Sequence, residues 1–420
     1  MKVGSVEKQV WDVCVIGGGP SGMMAAGTAA KKGASVILLE RNKTLGKKLL
    51  ITGGGRCNVT NAELDTKKLL AKFKDSGKFL FSPFSKWSVK DTLKFFHDRA
   101  METKEEAEKR VFPLSNTARS VHDTLVAYIK EGGVEVLSNS PVQKINSENG
   151  TITSAELRGG KVIYAKSFIV ATGGLSHPET GSTGDGYKWL KALGHTIADE
   201  RAALVPIATK ENRFTTASGV ALREAKITVY QNEAKQAHEV GKVLFTHQGL
   251  SGPAVLNVSR EIGELLKYGA VIVELDLLPN TGYEKINAEL QKLLKENSNK
   301  KIKNVLSKLV APALSTPLLE TSGINPEVFC NSVTREERIK LMKTLKHLRF
   351  EVSRLLGLEK AVITAGGVEL DEVDLKTMRS TKYINLYLVG DLLNINRPSG
   401  GYSLQLCWTT GFVAGSSAVL

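Results

Sequence analysis

Three glycine-rich stretches hold most of the residues that could bind a ligand or do chemistry. The first, GGGPSG, places Gly17, Gly19 and Gly22 at GxGxxG spacing between an apolar strand pattern and a helix rich in small residues. In this arrangement the first glycine permits a tight turn, the second lets backbone approach a pyrophosphate, and the third lets helix and strand pack closely. The helix that starts at Pro20 and Ser21 would present unpaired N–H groups to the anion. The stretch therefore predicts a dinucleotide site.

An acidic residue completes this pattern. Glu40 ends the second apolar strand, ASVILLE, at the spacing of about 20 residues expected after the first glycine. Its carboxylate should accept hydrogen bonds from ribose hydroxyls. Strand, glycine turn, helix and second strand together form a βαβ unit, which predicts the start of a doubly wound sheet.

The second stretch, KKLLITGGGRCNVTN, runs from Lys47 to Asn61 and follows the strand that would hold the ribose. It could form a redox-active thiol site, a phosphate loop, or backbone shaped around a flat cofactor. A disulfide reductase needs two cysteines at close spacing and only Cys57 stands here, so we expect it to be packed or cofactor-adjacent. Thr52 to Gly55 would bring backbone against a ring or phosphates, and Arg56 would meet a phosphate or an anionic substrate.

The third stretch lies near the other end of the chain, where Gly390 and Asp391 close a strand pattern and Gly400 and Gly401 open a helix. Asp391 could bind ribityl hydroxyls or a phosphate-linked water. The helix that starts after Gly401 could direct its positive end at a flavin and stabilise the anionic reduced ring. Two such sites at opposite ends of one chain predict a single FAD held by both.

The pattern of elements predicts the fold class and the domains. We expect an α/β protein with a Rossmann-like, doubly wound FAD-binding domain built from both chain ends, residues 1–194 and 362–420. Short alternating strands and lysine-rich helices predict an inserted β-rich domain over 195–361, β-barrel-like, with a helical subdomain at about 278–345.

Composition narrows the class of protein. The 420 residues are 42% hydrophobic and 24% charged, as in a globular protein too long for one ordinary core. The net charge of +14 favours anionic partners, or reflects a lysine-rich solvated surface. The four cysteines lack CxxC spacing, and the chain shows neither a signal peptide nor a long apolar run. We therefore expect no disulfide framework, no metal site, and a cytoplasmic protein that does not span a membrane.

The motifs carry a family resemblance over almost the whole chain. GGGPSGMMAA, GKKLLITGGGRCNVTN, RVFPLS, IVATGG, GSTGDGY, FTHQGLSGPAVL, TAGGV and GGYSLQLCWTTG, in this order, resemble the BaiN-like (YhiN-like) FAD-dependent oxidoreductases, some of which are labelled aminoacetone oxidases. The resemblance implies an FAD domain formed by both chain ends, with the middle inserted as a β-barrel-like and helical region over the flavin. Pro398 and Ser403 stand at positions that vary in the family, so the resemblance does not transfer a substrate.

The motifs and the resemblance together predict a set of cofactor-binding residues. This set is Gly17, Gly19, Pro20, Ser21, Gly22, Glu40, Arg41, Lys47, Gly54, Gly55, Arg56, Cys57, Asn58, Val142, Ala171, Thr172, Gly173, Gly390, Asp391, Gly400, Gly401 and Tyr402.

For catalysis we predict His247, Arg110 and Tyr402, with His177 and Arg397 as further candidates for proton transfer or substrate clamping. The expected function is that of an FAD-dependent oxidoreductase acting on a small organic molecule, by NAD(P)H-linked reduction of an activated C=C or by oxidation of an amine or alcohol carbon. No second GxGxxG is present, so either NADH or NADPH visits transiently as electron donor, or the substrate reduces FAD and oxygen reoxidises it.

Two other classes of function stay open at the level of sequence. The net charge of +14 motivates a nucleic-acid-associated flavoprotein of the tRNA-modifying type. A non-catalytic flavin carrier is the third reading. The sequence predicts neither the substrate nor the oligomeric state.

Overall fold

The computed structural model describes residues 9–361 and 363–419, with the side chains of residues 199–202 left aside. The chain divides into two compact units. The first unit combines Met1–Ala202 with Val362–Leu420, and the second is the continuous segment Ala203–Ala361.

The strands in chain order are β1 (Val10–Ile16), β2 (Val36–Leu39), β3 (Thr60–Asn61), β4 (Thr103–Glu106), β5 (Arg110–Pro113), β6 (Glu135–Leu137), β7 (Val142–Glu148), β8 (Thr151–Leu157), β9 (Val162–Val170), β10 (Ile197–Ala203), β11 (Ile207–Thr209), β12 (Ala221–Gln231), β13 (Ala234–Thr246), β14 (Gly249–Ser251), β15 (Val271–Asp276), β16 (Leu348–Leu355), β17 (Ile363–Val368), β18 (Val373–Asp374), β19 (Arg379–Ser380) and β20 (Leu386–Leu388).

The α-helices are α1 (Pro20–Lys31), α2 (Thr66–Ala71), α3 (Gly77–Lys86), α4 (Val89–His97), α5 (Ala118–Glu131), α6 (Asp185–Ala192), α7 (Pro253–Leu265), α8 (Tyr283–Glu296), α9 (Ile302–Leu306), α10 (Pro312–Thr321), α11 (Arg335–Lys346) and α12 (Tyr402–Ser417). A 3₁₀ segment, Leu49–Gly55, follows β2.

A nine-stranded sheet forms the centre of the first unit, in the order β18-β19-β20-β9-β1-β2-β6, with β7 and β8 attached beside β9. The strands β20, β9, β1, β2 and β6 run parallel. β1, β2 and β9 are apolar almost throughout because a parallel sheet is covered on both faces. The predicted α/β, doubly wound Rossmann-like fold is confirmed.

Helices α1 and α12 pack closely because glycines remove the side chains between them. A Cβ on Gly411 would lie 2.5 Å from the Ser21 carbonyl oxygen, and one on Gly415 would lie 2.3 Å from that of Ala25. Both distances are too short for a real side chain. Helix α12 therefore lies directly against α1, the helix that begins within the dinucleotide motif. The two chain ends therefore build one domain.

The second unit contains a closed six-stranded barrel in the order β11-β14-β13-β12-β15-β16, with antiparallel pairings. Phe214, Phe245 and Phe350 pack against one another in its core. The helices α8 to α11 stand in the chain between β15 and β16. The predicted inserted barrel-like region with a helical part is confirmed.

The first border between the units lies after Ala202 and not at His195. β10 pairs with β17 in a two-stranded sheet, and the Glu369 N–H donates to the Thr196 carbonyl oxygen at 3.1 Å. This pairing holds the segment after His195 in the first unit. The change to short alternating strands in the sequence does not show where that pairing ends.

Candidate functional site

The turn between β1 and α1 has the geometry that a dinucleotide motif needs. Gly17 has φ +109°, and a Cβ on it would lie 2.5 Å from the Ala171 carbonyl oxygen. A Cβ on Gly22 would lie 1.9 Å from the Gly17 carbonyl oxygen. A Cβ on Gly19 would meet no atom within 4 Å, and no side chain caps the helix that begins at Pro20. Packing thus requires the first and third glycines, while the second faces an open cradle at a helix N-terminus.

Glu40 is buried behind this turn. Its Oε2 accepts from the Gly18 N–H at 2.8 Å, and its Oε1 accepts from the backbone and side-chain N–H groups of Asn42 at 2.8 and 2.7 Å. A carboxylate offers about four acceptor positions, so one remains for a ribose hydroxyl. The neighbouring Arg41 donates to Asp185 at 2.9 Å.

The C-terminal stretch lies against the same turn. Gly390 has φ +67°, and a Cβ on it would come within 2.8 Å of Ser21 Oγ at the start of α1. Gly401 has φ +101° and lies against β3, where a Cβ would be 2.3 Å from the Thr60 backbone. Asn61 Nδ2 donates to the Gly400 carbonyl oxygen at 3.1 Å. The structure therefore brings all three glycine stretches together.

Three charged side chains meet beside this junction. Arg397, whose side chain is 1% exposed, forms an ion pair with Asp391 Oδ1, and Lys48 Nζ lies 3.8 Å from Asp391 Oδ2. Lys48 also donates to Ser176 Oγ. Burial lowers the pKa of Lys48 below its ordinary value of 10.5, although Asp391 opposes the shift. The amine of Lys47, one of the predicted cofactor-binding residues, donates to the Glu179 carbonyl oxygen at 2.8 Å at the surface, and its role at the cofactor stays a prediction.

The 3₁₀ segment exposes backbone as predicted for a cofactor loop, since Gly54 and Gly55 have φ +68° and +83° with open space where a Cβ would be. Arg56, in contrast, lies 4.2 Å from the Phe112 ring centroid and donates to Glu106 and Asn116. Those partners occupy its guanidinium, so a role for Arg56 at a phosphate stays a prediction.

Cys57 is buried, and burial raises the pKa of its thiol to about 12. A thiol that stays protonated is a poor nucleophile. The environment of Cys57 therefore matches a packed structural residue, one of the two roles we expected for it. Across the described part of the chain, all four cysteines are free and buried.

Two polar atoms near these segments have no hydrogen-bond partner. Asn58 Oδ1 follows the glycine loop, and Thr172 Oγ1 follows β9. Buried polar atoms are normally paired, so unpaired ones beside a glycine-lined gap indicate the place of a polar ligand. With the open cradle at Gly19 and the cations Arg397 and Lys48, these residues fit a dinucleotide that carries a flavin ring. The residues that would hold it are those of the three glycine stretches with Glu40, Asp391, Asn58 and Thr172.

Two of the three predicted catalytic residues, Arg110 and Tyr402, stand in segments that both adjoin Asn61. Asn61 pairs with Arg110 between β3 and β5 and bonds Gly400, two residues before Tyr402. The Arg110 Nε donates to the Ala107 carbonyl oxygen at 3.1 Å, and burial raises the pKa of Tyr402. His247 stands in the second unit, exposed, on the turn between β13 and β14. Their catalytic roles stay predictions.

The other predicted residues have clear positions in the first unit. Val142 begins β7 and is buried, and Gly173 has φ +71° just after β9. His177 bonds Glu179 at 2.8 Å. Sequence reasoning did not select Lys48 and Asn61, although both lie inside the quoted loop motif. The doubled lysine gives no sign of which amine turns inward, and only the structure shows that Asn61 touches Gly400.

The described residues meet the requirements of neither a metal-binding cluster nor a membrane-spanning helix. Residues 9–361 and 363–419 contain no group of three or more His, Cys, Asp or Glu side chains placed to hold a metal ion. Within the same residues, no helix combines the length and the apolar character needed to cross a bilayer.

The Rossmann fold and the three joined glycine stretches define an FAD-dependent oxidoreductase whose cofactor domain is built from both chain ends. The chain belongs to the HI0933-like protein Rossmann domain family, whose model matches residues 11–417. The predicted resemblance is thereby confirmed.

Relatives match over nearly the full length. The chain is 30% identical over 408 residues to a 3-dehydro-bile acid delta(4,6)-reductase of Clostridium scindens, covering 96% of this chain and 98% of that protein. It is 29% identical over 407 residues to a ribosomal RNA dihydrouridine synthase of Haemophilus influenzae, covering 96% and 97%. A 3-ketosteroid-Δ4-(5α)-dehydrogenase from Rhodococcus jostii shares the fold, with TM-score 0.53 and 14% identity over 99% of this chain and 98% of that one.

Proposed function

We propose that this protein is an FAD-dependent reductase of a C=C bond conjugated to a carbonyl group, with NADH or NADPH as electron donor. The observation that carries the proposal is the full-length similarity to two reductases of different substrates. A dienone of a steroid ring and the uracil ring of uridine share a C=C conjugated to C=O, and both named activities saturate such a bond. We therefore base the proposal on the reaction that the two relatives have in common, and not on the substrate of either one.

Bound FAD would supply hydride transfer, and the residues of the chain would position it and exclude water. The cradle at Gly19 and the α1 N-terminus would bind the pyrophosphate, and Glu40 would accept from the ribose. The unpaired Asn58 Oδ1 is an acceptor suited to an N–H group such as that of a flavin ring. Tyr402, which stays protonated because burial raises its pKa, keeps an O–H available to a substrate carbonyl.

The test is anaerobic mixing of the purified flavoprotein with NADH and with NADPH while the oxidised flavin band at about 450 nm is followed. We expect rapid bleaching by one of them, and reoxidation on addition of a conjugated enone, with product analysis by mass spectrometry. Bleaching by amines or alcohols, with none by either nucleotide, would instead establish the oxidase reaction. A flavin that no reductant bleaches would establish a carrier.

An RNA substrate is the second candidate, because the net charge is +14 and one relative is named for ribosomal RNA. Binding of uridine-containing RNA should then weaken steeply as salt rises, since counterions are released on binding. RNA from a cell in which this protein is deleted should lack dihydrouridine at one site. Unchanged dihydrouridine content would remove this candidate.

A further inference from the structure

The carboxylate of Asp391, whose side chain is 14% exposed, is shared by two cations in the first unit. Arg397 bonds through all three of its guanidinium nitrogens: it pairs with Asp391 Oδ1, donates to the Ile395 carbonyl oxygen at 2.6 Å, and donates to Ser403 Oγ at 3.0 Å. Lys48 lies 3.8 Å from the second oxygen of Asp391, beyond hydrogen-bond distance. The three side chains therefore leave one positive charge in excess.

The amine of Lys48 is poorly compensated where it stands. It carries three N–H donors, and its hydrogen bond in the structure goes to the uncharged Ser176 hydroxyl. Its side chain is only 21% exposed, so water replaces few of the missing acceptors. A largely buried cation with a distant, shared counter-ion is costly unless an anion joins it.

The position of Lys48 identifies that anion. The segment before it is bonded to the dinucleotide motif, because the Gly46 N–H donates to the Gly18 carbonyl oxygen at 2.9 Å. Asp391, its neighbour, follows Gly390, which touches Ser21 at the start of α1. Both the segment that leads to Lys48 and the neighbour of its counter-ion therefore adjoin the turn and helix start that favour an anion.

We propose that Lys48 binds the anionic part of FAD and that its amine takes up a proton when FAD binds. This inference rests on the FAD binding of the proposed function. The charged and titratable groups around the amine are Asp391, Arg397, Cys407 and Glu179. Without the cofactor, burial and Arg397 lower the pKa of Lys48, whereas Asp391, Cys407 and Glu179 raise it. A pyrophosphate beside the amine would raise the pKa again, so FAD affinity should fall as pH rises above the lowered pKa of the apoprotein amine.

The test measures the FAD dissociation constant of the apoprotein by flavin fluorescence, at pH about 7 and about 9.5. For Lys48→Met we expect affinity about tenfold or more weaker at neutral pH, the loss of one charge-assisted hydrogen bond, with the pH dependence of the wild type gone. Lys48→Arg should keep its affinity at both pH values, because arginine stays protonated. Lys166→Met is the matched control, since Lys166 pairs with Asp12 at 2.8 Å on the surface of the same unit.

The outcomes separate this inference from the proposed function. Equal FAD affinity and equal pH dependence in wild type and Lys48→Met would overturn the inference while leaving FAD binding intact. Absence of FAD binding by the wild type at either pH would overturn the proposed function itself. If circular dichroism shows that Lys48→Met does not fold, Lys48→Arg decides: a flat pH profile supports the inference, and the wild-type profile overturns it.

Discussion

At the scale of single residues, Gly19 and Gly22 belong to one motif but are required for different reasons. A Cβ on Gly22 would collide with the backbone of Gly17, whereas one on Gly19 would enter open space. Gly19 has φ −79°, which any residue can adopt. The first requirement is internal to the fold, and the second comes from the ligand.

Alanine substitutions should separate these two requirements. Gly22→Ala should lower the free energy of unfolding of the apoprotein by about 3 kcal/mol, because strand and helix must move apart. Gly19→Ala should leave apoprotein unfolding unchanged and weaken FAD binding about tenfold, because its methyl group fills the cradle. Denaturant unfolding and FAD titration of both variants check this. Normal FAD affinity in Gly19→Ala would place the pyrophosphate elsewhere.

At the scale of elements, α12 is anchored by a buried amide. Gln405 is fully buried; its Oε1 accepts from Thr60 at 2.6 Å, and its Nε2 donates to Thr92 at 2.9 Å and Thr409 at 3.1 Å. These bonds tie the C-terminal helix to β3 and α4. The position of Gly401 against β3 depends on the same helix.

Replacing the amide should loosen this anchor. Gln405→Leu should lower the free energy of unfolding by about 2 kcal/mol or more, because the buried Thr60 hydroxyl loses its acceptor and Thr92 and Thr409 each lose a donor. FAD affinity should fall as well, since Gly400 and Gly401 begin the helix that is released. Gln143→Leu, at an exposed position of β7, serves as the control in the same unfolding experiment. A stable Gln405→Leu variant with normal affinity would show that packing alone holds α12.

A second buried network joins the segment before β10 to β18 and β19. His195 Nδ1 bonds Glu372 Oε2 at 2.9 Å, and its Nε2 bonds Ser380 Oγ at 3.0 Å. The Ser380 oxygen also accepts from the N–H groups of Lys382 and Tyr383. That oxygen has no lone pair left for a proton on Nε2, so the network fits the neutral imidazole.

This network makes stability depend on pH. Burial lowers the pKa of His195 below its ordinary value of 6.5, although Glu372 opposes the shift. Below pH 6.5 the unfolded chain therefore binds more protons than the folded one, and stability falls as pH falls. Denaturant unfolding between pH about 7 and about 5.5 should show this loss, and His195→Gln should flatten it. His97→Gln, at an exposed histidine, should retain the wild-type slope.

The small strands show where sequence patterns fail. Residues 62–109 are polar and helix-prone, and α2, α3 and α4 do form there. β4 has the sequence TKEE, which has little intrinsic preference for a strand, and it exists because it pairs with β5. The same tertiary pairing decides which side chains of the loop motif reach Gly400, and no local signal encodes it.

At the scale of the whole molecule, the two units have separate hydrophobic cores. FAD should stabilise only the first, by about 2.7 kcal/mol at about 100 times its dissociation constant. We expect calorimetry to resolve two transitions, of which added FAD raises one. A uniform shift of the whole unfolding profile would show that the units unfold together.

The overall architecture was predictable because glycine motifs specify backbone geometry. A glycine at a positive φ or under another chain, as at Gly17 or Gly401, has no substitute and so marks its role in the sequence. Charged side chains carry no such mark: Lys47 and Lys48 are identical in type and adjacent, yet Lys47 is exposed while Lys48 turns inward towards Asp391. The backbone that would surround the cofactor could therefore be predicted from the sequence. Which charged side chains lie beside it could not.

The pairing of β10 with β17 bears on how such enzymes diversify. Because the residue before β10 bonds the residue after β17, the strands run antiparallel, so the end of β10 and the start of β17 lie together. The two chain connections to the second unit therefore start from neighbouring strands of the first unit. A foreign segment with closely spaced ends could be grafted there, which would let evolution or an engineer exchange the inserted module while inheriting the flavin chemistry unchanged.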